Sequence, residues 1–139
     1  MLCNVYNSED RCRHWSTENP DGFCSSPTCR GLQIKGDIIH ILRDCDALSN
    51  KRLYMLSYLR EQATANPLVS NLIFQYADPH SPDFIQFLLD CSSLPLVIQS
   101  CQTNGKIVLD ILFKLCRNFC FSMHNERKSV LNQQYISQL

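Results

Sequence analysis

Apolar and polar positions follow two different patterns along this chain, and the change falls near residue 33. From Ile34 onward, apolar residues recur at helical spacing almost to the end. Asp37 is placed to cap a first helix, with Ile38, Ile41, Leu42 and Cys45 following at i, i+3, i+4 and i+7. Ser49 or Asn50 can start a second, carrying Leu53, Leu56 and Leu59. Asn66-Pro67 opens a third, because proline at the first helical position has no N–H to lose, and Val69, Leu72, Ile73 and Tyr76 form its inner face. Ser81-Pro82 repeats the device for a helix over 82–91, with Phe84, Phe87, Leu88 and Cys91 facing inward. Pro95 begins another over 95–102, which Asn104-Gly105 ends. A long helix over about 106–122 presents Val108, Ile111, Leu112, Leu115 and Phe119, and a final segment carries Val130, Leu131, Tyr135 and Ile136. No run alternates with period two. The expectation is an all-α fold, a short armadillo/HEAT-like helical array or a compact bundle, preceded by an irregular segment.

That irregular segment, residues 1–33, has neither period. It holds Cys3, Cys12, Cys24 and Cys29 among Pro20, Gly22, Pro27 and Gly31, so it needs a staple to be ordered. The expected organisation is a Cys-rich loop segment over 1–33 and a helical domain over 34–139. A chain of 139 residues is long enough for one domain with one moderate core.

Cysteine is frequent, with nine in the chain. Cys45, Cys91, Cys101, Cys116 and Cys120 fall inside apolar helical patterns, where the residue behaves as a small hydrophobe. The N-terminus lacks the basic and apolar regions of a signal peptide, and there is no Asn-x-Ser/Thr sequon. The chain therefore reads as carrying reduced thiols in the cytoplasm or nucleus. No apolar run approaches the ~20 residues that span a bilayer.

Zinc takes four soft or borderline ligands, usually from two closely spaced pairs joined by a loop. Cys12-x-His14 and Cys24-x4-Cys29 offer two such pairs, and a metal there would supply folding energy to a segment poor in core residues. Trp15 lies in the intervening loop, placed to pack over the site or to meet a partner. Cys116, Cys120 and His124 line one helical stripe, but i to i+8 spans about 12 Å of rise, so the three cannot surround one ion.

Lys plus Arg and Asp plus Glu both total 13, and this zero net charge argues against a general nucleic-acid binder. Phosphate-cradling glycine loops and local signatures of a catalytic cysteine are absent from the sequence. The expectation is a protein that is not an enzyme.

Three helices over 38–76 and three over 82–122 give a loose repeat of about 40 residues, the period of armadillo and HEAT units. The run Cys116-Arg117-Asn118-Phe119-Cys120, continued through Asn125 to Asn132, resembles ataxin-10-type armadillo proteins, over roughly residues 82–136. The resemblance implies a cytoplasmic scaffold that holds a partner segment on its helical surface, with Asn118 binding partner backbone and Arg117 beside it. Leu131 and Tyr135 add an apolar patch suited to a partner or to a second copy of the chain. The alternative is a small zinc-binding regulatory protein, of a kind found in viruses, acting through its Cys-rich N-terminus on RNA or a host factor.

Overall fold

The computed structural model describes residues 23–138 apart from position 25, with side chains as far as residue 130. Among the described residues there is no strand, only an isolated antiparallel bridge between Phe23 and Lys35. The helices are α1 (Pro27–Gly31), α2 (Ser49–Ala65), α3 (Ser70–Tyr76), α4 (Phe84–Asp90), α5 (Pro95–Asn104) and α6 (Ile107–Gln138). A π-helical turn over His40–Asp44 and 3-10 turns over Asp46–Leu48 and Cys91–Ser93 connect them.

Local chemistry accounts for most boundaries. Asp37 caps as expected: its Oδ1 accepts the His40 N–H at 2.8 Å. Pro95 stands at the start of α5, and Gly105 ends it at φ 86°, a conformation that strains any residue with a Cβ. Asn66 works backward rather than forward. Its side chain donates to the Gln62 carbonyl at 3.0 Å, closing α2, and α3 begins only at Ser70. The expected break after residue 122 does not occur. The sequence from Ser122 to Val130 contains neither glycine nor proline, and α6 runs on to Gln138.

The inner face of α2 differs from the expected one. Leu56 and Leu59 are buried, but Leu53 is 64% exposed. The buried stripe runs through Arg52, Leu56, Leu59 and Ala63, spaced i, i+4, i+7 and i+11. An arginine occupies its first position.

The described chain divides into two compact units, one formed by Leu53–Cys120 and the other by residues 23–52 with 121–138. The first has an ordinary aromatic and aliphatic core. Tyr76 stacks on Phe87 with ring centroids 5.6 Å apart, and Phe84 meets Phe119 edge-on at 6.1 Å. Leu72, Ile73, Leu88, Val97, Val108 and Leu112 fill the space around them. The second unit contains a cluster of polar side chains.

Candidate metal centre

Cys24, Cys29, His40 and Cys45 are all buried, and their ligand atoms lie within 4.8 Å of one another. Three sulfurs and an imidazole at such separations match the donor set of a tetrahedral zinc site. The chain reaches this arrangement by using one device twice. Cys24 to Cys29 and His40 to Cys45 are both five-residue steps.

In the first pair, Cys24 precedes α1 and Cys29 lies within it. The Cys24 N–H donates to the Ile34 carbonyl at 2.8 Å, which folds the segment back beside the Phe23–Lys35 bridge. The Lys35 ammonium sits 5.2 Å from the centre of the Phe23 ring and adds a cation–π contact. After α1 the chain turns at Gln33, a non-glycine residue at φ 56°, while the Cys29 carbonyl accepts both Leu32 and Ile34 N–H groups.

In the second pair, the π turn does the positioning. Five α-helical residues would point the two side chains about 140° apart. Here the Cys45 N–H instead closes on the His40 carbonyl at 2.7 Å, a wider i to i+5 turn that brings both ligands to one side.

The surroundings favour thiolate at Cys45 and thiol at Cys24 and Cys29. A main-chain amide works against burial at each sulfur, that of Ser26 at Cys24, Asp46 at Cys29 and Ala47 at Cys45. Such outer bonds orient metal ligands and stabilise the charged form. The Cys24 and Cys45 sulfurs are 3.7 Å apart. At this separation one thiol donates to the other. That bond pulls Cys45 down to about 4, with His40 assisting. The same bond, together with burial, pushes Cys24 up, and burial chiefly raises Cys29. The Cys45 thiolate in turn raises His40. His40 Nε2 is buried without a hydrogen-bond partner, an uncommon state for a polar atom. A divalent cation would resolve both features, taking the sulfur charge and giving an imidazole nitrogen a partner.

Of the residues expected to hold zinc, the structure brings Cys24 and Cys29 together, joined by His40 and Cys45; Cys12, His14 and Trp15 lie outside the described residues. Cys45 was expected as a core hydrophobe. It is buried, but against ligand atoms. The signal that could have found this half is the His-x4-Cys step repeating the Cys-x4-Cys step after ten residues.

Of the other described cysteines, Cys91, Cys116 and Cys120 are buried as the apolar pattern implies and Cys101 is only half-buried; a hydrogen bond from Cys116 lowers Cys91. Cys116 donates to the Phe87 carbonyl at 3.3 Å and Cys120 to that of Leu88 at 3.8 Å. Burial pushes Cys120 up to about 12, leaving an unreactive thiol. Neither joins a metal-competent group among the described residues. His124 Nδ1 lies instead 3.5 Å from the Arg127 guanidinium. On α6, Arg117 is exposed and Asn118 half-buried; the side chains of Leu131 and Tyr135 lie outside the described residues.

In the Leu53–Cys120 unit, a groove of about 510 Å³ lies between α3 and α5. Leu68 and Leu96 contribute apolar surface, and Asn71, Gln75, Gln99 and Asn104 line it with carboxamides, with no charged residue in the lining. Among the described residues no single helix is long and apolar enough to cross a membrane. No family model, curated protein or solved structure matches this chain.

Proposed function

We propose that this chain is a zinc-stapled, non-enzymatic interaction module. The observation that carries the reading is the buried set Cys24, Cys29, His40 and Cys45, four protein ligands around one point. A closed four-ligand site has no open position for substrate or water, so its role is to hold the fold. Zinc suits this donor set because three thiolates disfavour magnesium and calcium, which take oxygen ligands. The ion would supply positive charge, and the main-chain amides of Ser26, Asp46 and Ala47 favour the thiolate form of the sulfurs that would hold it.

The helical remainder is the interaction surface in this proposal. Its support is the uncharged groove between α3 and α5, where carboxamides offer both donors and acceptors to an extended peptide backbone. In this reading α4, α5 and α6 would act as an armadillo-like triplet, with Asn118 and Arg117 on its long member as further contact residues. A cytoplasmic setting with reduced thiols suits both parts.

Native mass spectrometry of protein purified under reducing conditions tests the proposal. The expected spectrum has one zinc per chain, and Cys24→Ser with Cys29→Ser abolishes it. Wild-type protein that takes up no zinc when offered an equimolar amount sinks the reading.

A further inference from the structure

Arg52 is one of the few charged residues buried in the described chain, 7% exposed, and it lies in the first turn of α2. Both circumstances are unfavourable. Desolvating a guanidinium is costly unless its hydrogens find acceptors. A cation at a helix N-terminus also opposes the macrodipole. Something in the fold must offset these costs.

Its hydrogen bonds show what. The Arg52 Nε donates to the Leu42 carbonyl at 2.9 Å, and Nη2 donates to those of Ile41 and Cys45, both at 3.1 Å. These carbonyls belong to the turn that carries His40 and Cys45. That turn is short, and at Cys45 the chain passes into extended geometry, φ −63° and ψ 121°. The last carbonyls of any helical turn lack intrahelical partners. Arg52 satisfies them from up to 11 residues away. A planar, forked donor can span three acceptors, which an ammonium on a flexible stem cannot match.

We infer that Arg52 is a positioning residue for the metal centre: it holds the His40–Cys45 turn in the shape that aims both ligands at one point. This rests on the zinc reading above. The charge also fits. Three thiolates and a neutral imidazole around a divalent cation leave a formal charge of −1, and Arg52 brings a compensating cation onto the main chain of a ligand residue.

The test compares wild type, Arg52→Met and Arg52→Lys. Methionine keeps an apolar stem and removes the donors, whereas lysine keeps the charge without the fork. Cobalt(II) is the probe, since its visible bands report ligand geometry. Zinc affinity is read separately by competition with a chromophoric chelator. Loss of a residue that orients metal ligands typically lowers affinity 10–100-fold. The expected result is a loss of that size for Arg52→Met with altered cobalt bands, and a smaller loss for Arg52→Lys. If Arg52→Met does not fold with or without zinc, the lysine variant decides by the same two readouts. A merely structural arginine would lower the melting temperature equally in the zinc-loaded and metal-free forms while leaving cobalt bands and affinity unchanged. That result in a folded variant overturns the inference. Wild-type protein that binds no cobalt or zinc instead removes the metal reading on which it stands.

Discussion

Residues 23–52 and residues 53–120 use the same amino acid for opposite purposes. In the first stretch the sulfurs of Cys24, Cys29 and Cys45 lie within 4.8 Å of one another and of a His40 nitrogen. In the second, Cys116 and Cys120 are buried and donate to the carbonyls of Phe87 and Leu88. The two stretches also differ in what holds them. The helical unit buries Phe84, Phe87, Phe119 and their aliphatic neighbours. The segment around the candidate metal centre buries Ile41, Leu42 and Leu48 and adds the Arg52 hydrogen bonds and the Asp37 cap.

Metal removal puts this contrast to its strongest test. A strong chelator under reducing conditions should abolish amide-exchange protection over residues 23–48, while 53–120 stay protected. Structural zinc in small domains contributes on the order of 10 kcal/mol of apparent folding energy, more than a segment of this size can otherwise supply. Hydrogen exchange read by mass spectrometry would break the comparison if both stretches lost protection together.

Acidity should act most directly on the first stretch. Without metal, Cys24 and Cys29 are held as thiols and His40 toward its charged form, whereas Cys45 is already a thiolate above about 4. Zinc needs all four deprotonated, so loading releases up to about three protons. The metal-free state therefore binds more protons, and apparent affinity rises with pH and falls as the solution is acidified. Below about 4 the Cys45 thiolate is lost as well. Calorimetry in buffers of different ionisation enthalpy counts the protons; an affinity flat between pH 6 and 8 would contradict the assignment of these ligands.

The smallest effect belongs to the helical unit. Gly105 ends α5 at φ 86° and ψ −174°, a region that residues with a Cβ scarcely occupy. Gly105→Ala should cost about 1–3 kcal/mol in chemical denaturation. The loss should be the same with and without zinc. A zinc-dependent loss would mean that the two stretches do not hold themselves together by separate means.

What could be read in the chain itself was local. Val69, Leu72, Ile73 and Tyr76 are buried as their spacing requires, as are Phe84, Phe87, Leu88 and Cys91. The helical period repeats every few residues, so a short window contains all the information needed. Pro95 and Gly105 mark their boundaries for the same reason, since each restricts or frees its own backbone. The pairing of Cys24 with Cys29 was legible too, being a step of five residues.

Two things were decided only in three dimensions. Leu53 looked like the first core position of α2, but Arg52 takes that place, because carbonyls up to 11 residues earlier need its hydrogens. Cys45 looked like one more small hydrophobe on an apolar stripe. It became a candidate ligand because a π turn swung it toward His40, and because the fold brought its sulfur within 3.7 Å of one 21 residues away. Periodicity describes what a residue does for its own helix. A metal site depends on where separate turns converge, and that is set by tertiary hydrogen bonds.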